Sequence, residues 1–383
     1  MKRIGAIVIV CALLFTLCPV SVRAAPAEVA AKSAILMDAA TGTILYEQNA
    51  HEKLAPASVT KVMTMLLIME AIDSGKIGWN DTVTASDTAA AKGGSQIYLK
   101  AGETMSVSDM VKSIAVSSAN DCACAMAEHI AGSEEGFVQR MNQRAQELGM
   151  KDTHFVNCTG LDDDPAAAEH LTSAYDIALM SRELLKNHPD IKKFTTIWMD
   201  TIRGGTFGLS NTNKLIRFYS GATGLKTGFT ANAGYCLSAS AQRDGMELIA
   251  VVMGSETSAD RFAACKQLLD YGFANYALVR PETQGGNVPV RLGTAGSVRA
   301  LPTQEPQFLI DKSQRGSVTT EIALEESVTA PVSKGQRLGT LTIRCGEQIL
   351  SQIPLTAEAP VPKLTWGQMF GRILRKIAMA KEA

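Results

Sequence analysis

Charge is scarce and evenly divided in this chain of 383 residues, with 37 Lys and Arg against 38 Asp and Glu and a formal net charge of -1. Without a basic surplus there is no electrostatic footprint for a polyanion, so nucleic-acid binding is excluded. Histidine is sparse too: His51, His129, His154, His170 and His188 include no H-x-x-x-H pair. Cys122 and Cys124 resemble half of a metal site, but no His or Cys pair at ligand spacing accompanies them, so neither a metal nor another cofactor is expected. The cysteines that follow the N-terminal segment (Cys122, Cys124, Cys158, Cys236, Cys265 and Cys345) are too dispersed for a disulfide scaffold and read as mostly buried free thiols.

What the chain does have is 46% apolar and 20% charged residues, the balance of a folded globular protein, and a length that calls for two or more folded units. Its N-terminus places Lys2 and Arg3 before an apolar run from Ile4 to Leu17, then Pro19 and the small residues Val22 and Ala24. Residues 1–24 therefore read as a secretory signal peptide cleaved after Ala24, which implies an extracytoplasmic location. Cys18 is not a lipidation site, because Phe15-Thr16-Leu17 lacks the small residues such processing needs.

From Ser33 the sequence alternates, turns at Thr41-Gly42 and alternates again through Glu47, a hairpin signal. The run Val59 to Ile72 places Val62, Met65, Leu66 and Met69 at helical spacing among almost wholly apolar neighbours, which marks a buried helix. Two or three helices are expected between Met105 and Met150, broken near Ser117-Ser118-Ala119-Asn120, and another over Ala174 to Leu185. Strands Gly224 to Thr227, Gly234 to Ala241 and Glu247 to Met253 then form a meander, closed by a helix from Ala259 to Tyr276. The fold class is α+β: residues 32–279 build one antiparallel sheet from both chain ends with helices between. Residues 281–357 read as a small all-β unit without helices, with strands near Gly316 to Ala323, Ser327 to Val332 and Gln336 to Arg344.

Beyond the prolines at 354, 360 and 362, residues 363–383 place Trp366, Met369, Phe370, Ile373, Leu374 and Ile377 on one helical face. Lys363, Arg372, Arg375, Lys376 and Lys381 supply the other. This is the profile of an amphipathic helix lying on an anionic membrane surface, too short and too charged to span it.

Three patterns each occur once: Ser58-Val59-Thr60-Lys61, Ser118-Ala119-Asn120 and Lys226-Thr227-Gly228. Ser58 opens the buried helix, and an offset of three sets Lys61 beside it on one face. A serine hydroxyl needs a base, and a desolvated lysine is one, with Lys226 as a second cation to depress its proton affinity further. Ser118 and Asn120 fall at an interhelix turn, where a hydroxyl can pass a proton and an amide can bind a substrate carbonyl. Lys226 and Thr227 offer donors to a carboxylate, while Gly228 lets a substrate approach the backbone.

S-x-x-K, S-x-N and K-T-G in this order resemble the signature of penicillin-binding proteins and serine β-lactamases. Pro56-Ala57-Ser58-Val59-Thr60-Lys61, Asn211-Thr212-Asn213-Lys214-Leu215 and Gly224-Leu225-Lys226-Thr227-Gly228-Phe229-Thr230 look most like the low-molecular-mass D-alanyl-D-alanine carboxypeptidases, over about Ser33 to Tyr276. The resemblance implies a transpeptidase-like domain that trims peptidoglycan stem peptides ending in D-Ala-D-Ala and takes β-lactams as covalent inhibitors. It implies Ser58 as nucleophile, Lys61 as base, Ser118 as proton relay and Asn120 as positioning group. Lys226, Thr227 and Arg261 would attend the terminal carboxylate, and the backbone N–H groups of Ser58 and Phe229 would form the oxyanion hole. Some family members carry His where Phe229 stands, a difference that bears on side-chain specificity. A β-lactamase is the first alternative, but no E-x-x-L-N deacylation pattern lies between Asn120 and Lys226. A poorly catalytic penicillin-binding sensor or scaffold is the second.

Overall fold

The computed structural model describes residues 28–379, with side chains through Leu374; the signal peptide expected over residues 1–24 lies outside the described residues. The first hairpin forms β1 (Ser33–Asp38) and β2 (Ile44–Gln48). Helices α1 (Lys61–Asp73), α2 (Val107–Ser117), α3 (Asn120–Ala131), α4 (Glu134–Glu147) and α5 (Ala174–Asn187) follow. The meander is β3 (Ala222–Thr230), β4 (Gly234–Arg243) and β5 (Met246–Ser255), and α6 (Ser258–Asn275) closes it.

These strands make one antiparallel sheet ordered β2-β1-β5-β4-β3, in which Ile35 near the chain start pairs with Val251. Alternate residues go to opposite layers. Ile35, Met37, Ile249 and Val251 face the helical core around α1, whereas Ala34, Leu36, Leu248 and Ala250 pack with Cys265, Leu268 and Leu269 of α6. As its apolar run predicts, α1 is buried on all sides from Lys61 to Met69. Each Leu, Ile or Met so buried contributes about 1.5–3 kcal/mol. Packing holds this helix, since its N-terminus carries no side-chain cap. Arg144 of α4 adds a polar clamp, donating to Glu70 of α1 at 2.7 Å and Glu183 of α5 at 2.6 Å.

The break expected near Ser117 is a single left-handed residue: α2 ends, Ser118 adopts φ 64°, and α3 begins at Asn120. Two short ribbons escaped the sequence pattern, Thr82–Thr84 with Thr104–Ser106 and Met199–Ile202 with Phe207–Ser210. All six described cysteines are buried and unpaired.

The all-β unit follows. Its six-stranded sheet includes Val318–Leu324, Val328–Thr329 and Arg337–Cys345, close to the expected stretches, together with Gly286–Arg291, Ser297–Pro302 and Gln348–Ala357, which sequence reading missed. Val288, Ala300, Leu341, Ile343, Ile353 and Leu355 form its separate core. A 3-10 turn over Lys312–Ser317 interrupts a region expected to lack helices. At the end lies α7 (Trp366–Met379), whose Arg372 donates to the carbonyls of Gly293 and Thr294 at 3.2 and 2.6 Å.

One close approach in the sheet layer has a measurable consequence. A Cβ on Gly272 of α6 would lie 2.4 Å from Leu248 Cδ1 and 3.1 Å from Leu36 Cδ2. Gly272→Ala should therefore destabilise by about 1–3 kcal/mol through overpacking, although alanine in a helix is ordinarily favoured over glycine by about 1 kcal/mol. A denaturant midpoint equal to or above that of the parent protein would count against this packing.

Candidate active site

Ser58 lies in the 3-10 turn Ala57–Thr60 that runs directly into α1. The predicted side-by-side arrangement is present: Lys61 Nζ donates to Ser58 Oγ at 3.0 Å and to the Thr159 carbonyl at 2.8 Å. Ser58 is half-buried, and Lys61 is fully buried at the first position of its helix. Burial drags the Lys61 pKa down to about 7, while Cys158 and Asp121 pull it partly back. Desolvation penalises the ammonium form, so near neutral pH a large fraction of Lys61 is the free amine. That amine is within reach of the hydroxyl proton.

The nucleophile turn is held by groups that sequence reading did not single out. Ala57 sits at φ 47°, a region that L-residues with a side chain seldom occupy. Its carbonyl accepts from Thr60 Oγ1 at 2.8 Å. His170 Nδ1 accepts the Val156 N–H at 3.0 Å, which places the imidazole proton on Nε2, 2.8 Å from Thr60 Oγ1. Burial, helped by the charges of His154 and Lys61, lowers the His170 pKa to about 4, so this relay stays neutral. Gly160, at φ 80°, presses on the same peptide: a Cβ there would come within 1.8 Å of the Ala57 carbonyl oxygen. Only the absence of a side chain permits both the conformation and the contact. The Gly in Thr159-Gly160-Leu161 was the one sequence signal available for this loop, and His170 offered none.

Gly228 also acts within the chain. A Cβ there would lie 2.6 Å from the Pro56 carbonyl oxygen and 3.1 Å from the Val59 nitrogen. The clearance expected for a substrate thus serves first to seat β3 against the nucleophile turn. On β3, Lys226 is almost fully buried, and its Nζ donates to the neighbouring Thr227 carbonyl at 2.8 Å. Among the described residues it forms no ion pair. Burial lowers its proton affinity well below the usual lysine range, and the positive charges of Lys61 and Arg261 lower it further. Thr227 Oγ1 donates to Thr212 Oγ1 at 2.7 Å. Thr212 belongs to a loop that Asn213 ties to β3 through the Gly224 carbonyl at 2.9 Å.

At the turn between α2 and α3, Ser118 and Asn120 are both buried. Asn120 Nδ2 donates to the Gly93 carbonyl at 2.7 Å, which fixes the orientation of the amide. Its Oδ1 is buried with no hydrogen-bond partner among the described residues. The expectation that this amide binds a substrate carbonyl concerns a bound complex, and in the free protein its N–H is engaged by Gly93. Arg261 works from behind the sheet, with Nη1 donating to the carbonyls of Gly228 at 2.9 Å and Cys236 at 3.3 Å. The Phe229 side chain stacks on Tyr235 at 4.2 Å between ring centroids and remains 53% exposed.

A serine paired with a buried lysine of lowered proton affinity, on a transpeptidase-like fold followed by an all-β unit, defines a serine hydrolase of the penicillin-binding class. The chain belongs to the D-alanyl-D-alanine carboxypeptidase family, whose pattern matches residues 20–257, and residues 273–363 match the C-terminal domain of penicillin-binding protein 5. It is 46% identical to the D-alanyl-D-alanine carboxypeptidase DacF of Bacillus subtilis, over 87% of this chain and 86% of that protein. The crystal structure of penicillin-binding protein 5 from Haemophilus influenzae superposes with a TM-score of 0.74 at 30% identity, covering 89% of this chain and 100% of that one. The ampicillin-bound form of penicillin-binding protein D2 from Listeria monocytogenes gives 0.59 at 32% identity, covering 64% of this chain and 99% of that one.

The state of Lys61 sets a pH dependence. A base is competent only when unprotonated, so the rate of acylation by a β-lactam should rise with pH through a midpoint near 7. Lys61→Arg, protonated at every accessible pH, should show no such limb and almost no acylation. A parent rate that stays flat or falls on raising the pH through neutrality would contradict the assignment of Lys61 as base.

Proposed function

We propose that Ser58 is the acylated nucleophile through which this carboxypeptidase removes the terminal D-alanine from peptidoglycan stem peptides ending in D-Ala-D-Ala. The observation that carries this reading is the 3.0 Å contact between Ser58 Oγ and the buried Lys61 Nζ. Neutral Lys61 takes the hydroxyl proton as Oγ adds to the penultimate carbonyl carbon. The oxyanion is received by the backbone N–H groups of Ser58 and Phe229. When the tetrahedral species collapses, the C–N bond breaks and Ser118 relays a proton to the departing D-alanine amine. Water, deprotonated by Lys61, then attacks the ester and restores Ser58.

Substrate binding follows from what the site leaves unsatisfied. Lys226 is a buried amine with no ion-pair partner among the described residues, so an arriving terminal carboxylate favours its protonated form and completes an ion pair there, with Thr227 as a second donor. Arg261 contributes its positive charge and steadies β3 from behind. A β-lactam presents a carboxylate and a strained amide to the same groups, but its amine stays tethered after ring opening, so the acyl-enzyme persists.

The chain acts outside the cytoplasmic membrane, exported by its signal peptide, and residues 363–383 bring it to the membrane surface. In α7 the side chains of Trp366, Phe370, Ile373 and Leu374 are 85%, 64%, 52% and 50% exposed, so this face is not covered by the all-β unit. The side chains of Arg375, Lys376, Ile377 and Lys381, which were assigned to the same helix, lie outside the described residues.

A soluble pentapeptide ending in D-Ala-D-Ala should release free D-alanine with the parent protein and none above background with Ser58→Ala, and intact-protein mass spectrometry should find one penicillin adduct only on the parent. Free D-alanine from the Ser58→Ala variant would end this reading. Removal of residues 363–383 should abolish sedimentation with vesicles containing anionic phospholipid while leaving the rate on the soluble peptide unchanged. Undiminished vesicle binding would refute the anchor.

A further inference from the structure

The segment whose carbonyl orients Lys61 is itself tethered by a half-buried carboxylate. Thr159 O, which accepts from Lys61 Nζ at 2.8 Å, belongs to an irregular segment with no strand or helix partner to fix its peptide. Side chains do that work. Asn157 Oδ1 accepts the N–H groups of Thr159 and Gly160 at 3.1 and 2.7 Å, and Thr64 Oγ1 donates to the Cys158 carbonyl at 2.6 Å. A further tether comes from α4. Glu134 Oε1, at the first position of α4, accepts the Cys158 N–H at 3.1 Å and faces the Cys158 thiol at 3.2 Å. Its Oε2 accepts from Lys92 Nζ at 2.6 Å.

We infer that Glu134 is a positioning residue for the catalytic lysine, acting through the Asn157–Cys158 peptide, whose N–H it accepts, to hold the segment that carries the Thr159 carbonyl against which Lys61 is aimed at Ser58. This rests on the Ser58 and Lys61 roles proposed above. Two further features support it. Glu134 and Lys92 line a hollow of about 270 Å³ together with Asn157 and Thr159, so the tether stands between solvent and the back of the site. Burial by itself would raise the Glu134 pKa, yet the Lys92 hydrogen bond and the Cys158 N–H outweigh it and leave the carboxyl below its usual range, hence ionised. A helix start favours that charge as well. The catalytic motifs alone give no sign of Glu134, which lies sixteen residues after Ser118.

The essential function of Glu134 is acceptance of the Cys158 N–H, not its charge, and three variants separate the two. Glu134→Ala removes acceptor and charge, Glu134→Gln keeps an acceptor, and Lys92→Met removes the ion-pair partner alone. Stopped-flow acylation by a fluorescent penicillin resolves the pre-acylation dissociation constant from the acylation rate constant. Glu134→Ala should lose about 10- to 100-fold in the acylation rate constant, the scale expected for a misplaced catalytic group, with the dissociation constant unchanged. Glu134→Gln should stay within about threefold of the parent, a small effect for a retained hydrogen bond. Lys92→Met should acylate at the parental rate.

Parental acylation by Glu134→Ala would overturn the inference, as would an equal loss in Glu134→Gln or a loss that falls on the dissociation constant. Thermal melting of each variant identifies a folding failure, in which case the Gln and Met variants decide. The parent and Ser58→Ala run alongside. If the parent forms no Ser58 adduct, the underlying reading fails; if it does and Glu134→Ala matches it, only the role of Glu134 fails.

Discussion

The desolvated ammonium of Lys61 governs the arrangement of everything around it. Taking a lysine out of water is unfavourable for its charged form, and the protein keeps that penalty in place by making the residue the first of a helix that is apolar on every side. The result is an amine that exchanges its proton near neutrality, 3.0 Å from a hydroxyl that needs a base. Were α1 amphipathic, the same Ser-x-x-Lys spacing would yield an N-terminal serine and an ordinary surface lysine.

A base held so deep must be fed by groups equally fixed, and the surrounding contacts supply this. The left-handed Ala57 is wedged between the Thr60–His170 relay and Gly160, while β3 leans on the turn through Gly228. Strain of this kind persists where the surroundings over-determine it, and it collects at sites where a nucleophile must be presented. The turn that carries Ser118 and Asn120 is anchored by Asp121, whose carboxylate accepts the N–H groups of Ile97, Leu99 and Cys122, and by the Asn120–Gly93 bond. Little in the cleft depends on a side chain free to wander.

Much of this was legible in the sequence because short-range periodicity carries it. The apolar run of α1, the polar break at Ser118 and the three-stranded meander are local signals, and each reappeared within a few residues of its expected limits. The Ser58–Lys61 contact was legible because one helical turn separates the two residues, and the structure sets their side chains 3.0 Å apart. What escaped depends on contacts between segments far apart in the chain. His170 reaches Thr60 and Glu134 reaches Cys158 across loops with no repeating pattern. Likewise the strands Gly286–Arg291, Ser297–Pro302 and Gln348–Ala357 contain proline or polar interruptions that weaken alternation, and only their partners in the sheet make them strands.

The central sheet joins the beginning of the chain to a distant part of it, for β1 hydrogen-bonds to β5 along its whole length, with Ser33 opposite Met253 and Asp38 opposite Leu248. The helical half that carries Ser58 is thus enclosed within a loop that closes only after the meander has been made. A polypeptide emerging N-terminus first holds an unpaired β1 edge until the strand at 246–255 arrives. Such late closure is slow, because long-range pairing must overcome loop entropy before it gains any contact. The burial that lowers the Lys61 proton affinity consequently belongs to the closed sheet: a fragment that ends before the strand at 246–255 lacks Ile249 and Val251, which pack in the same core as α1.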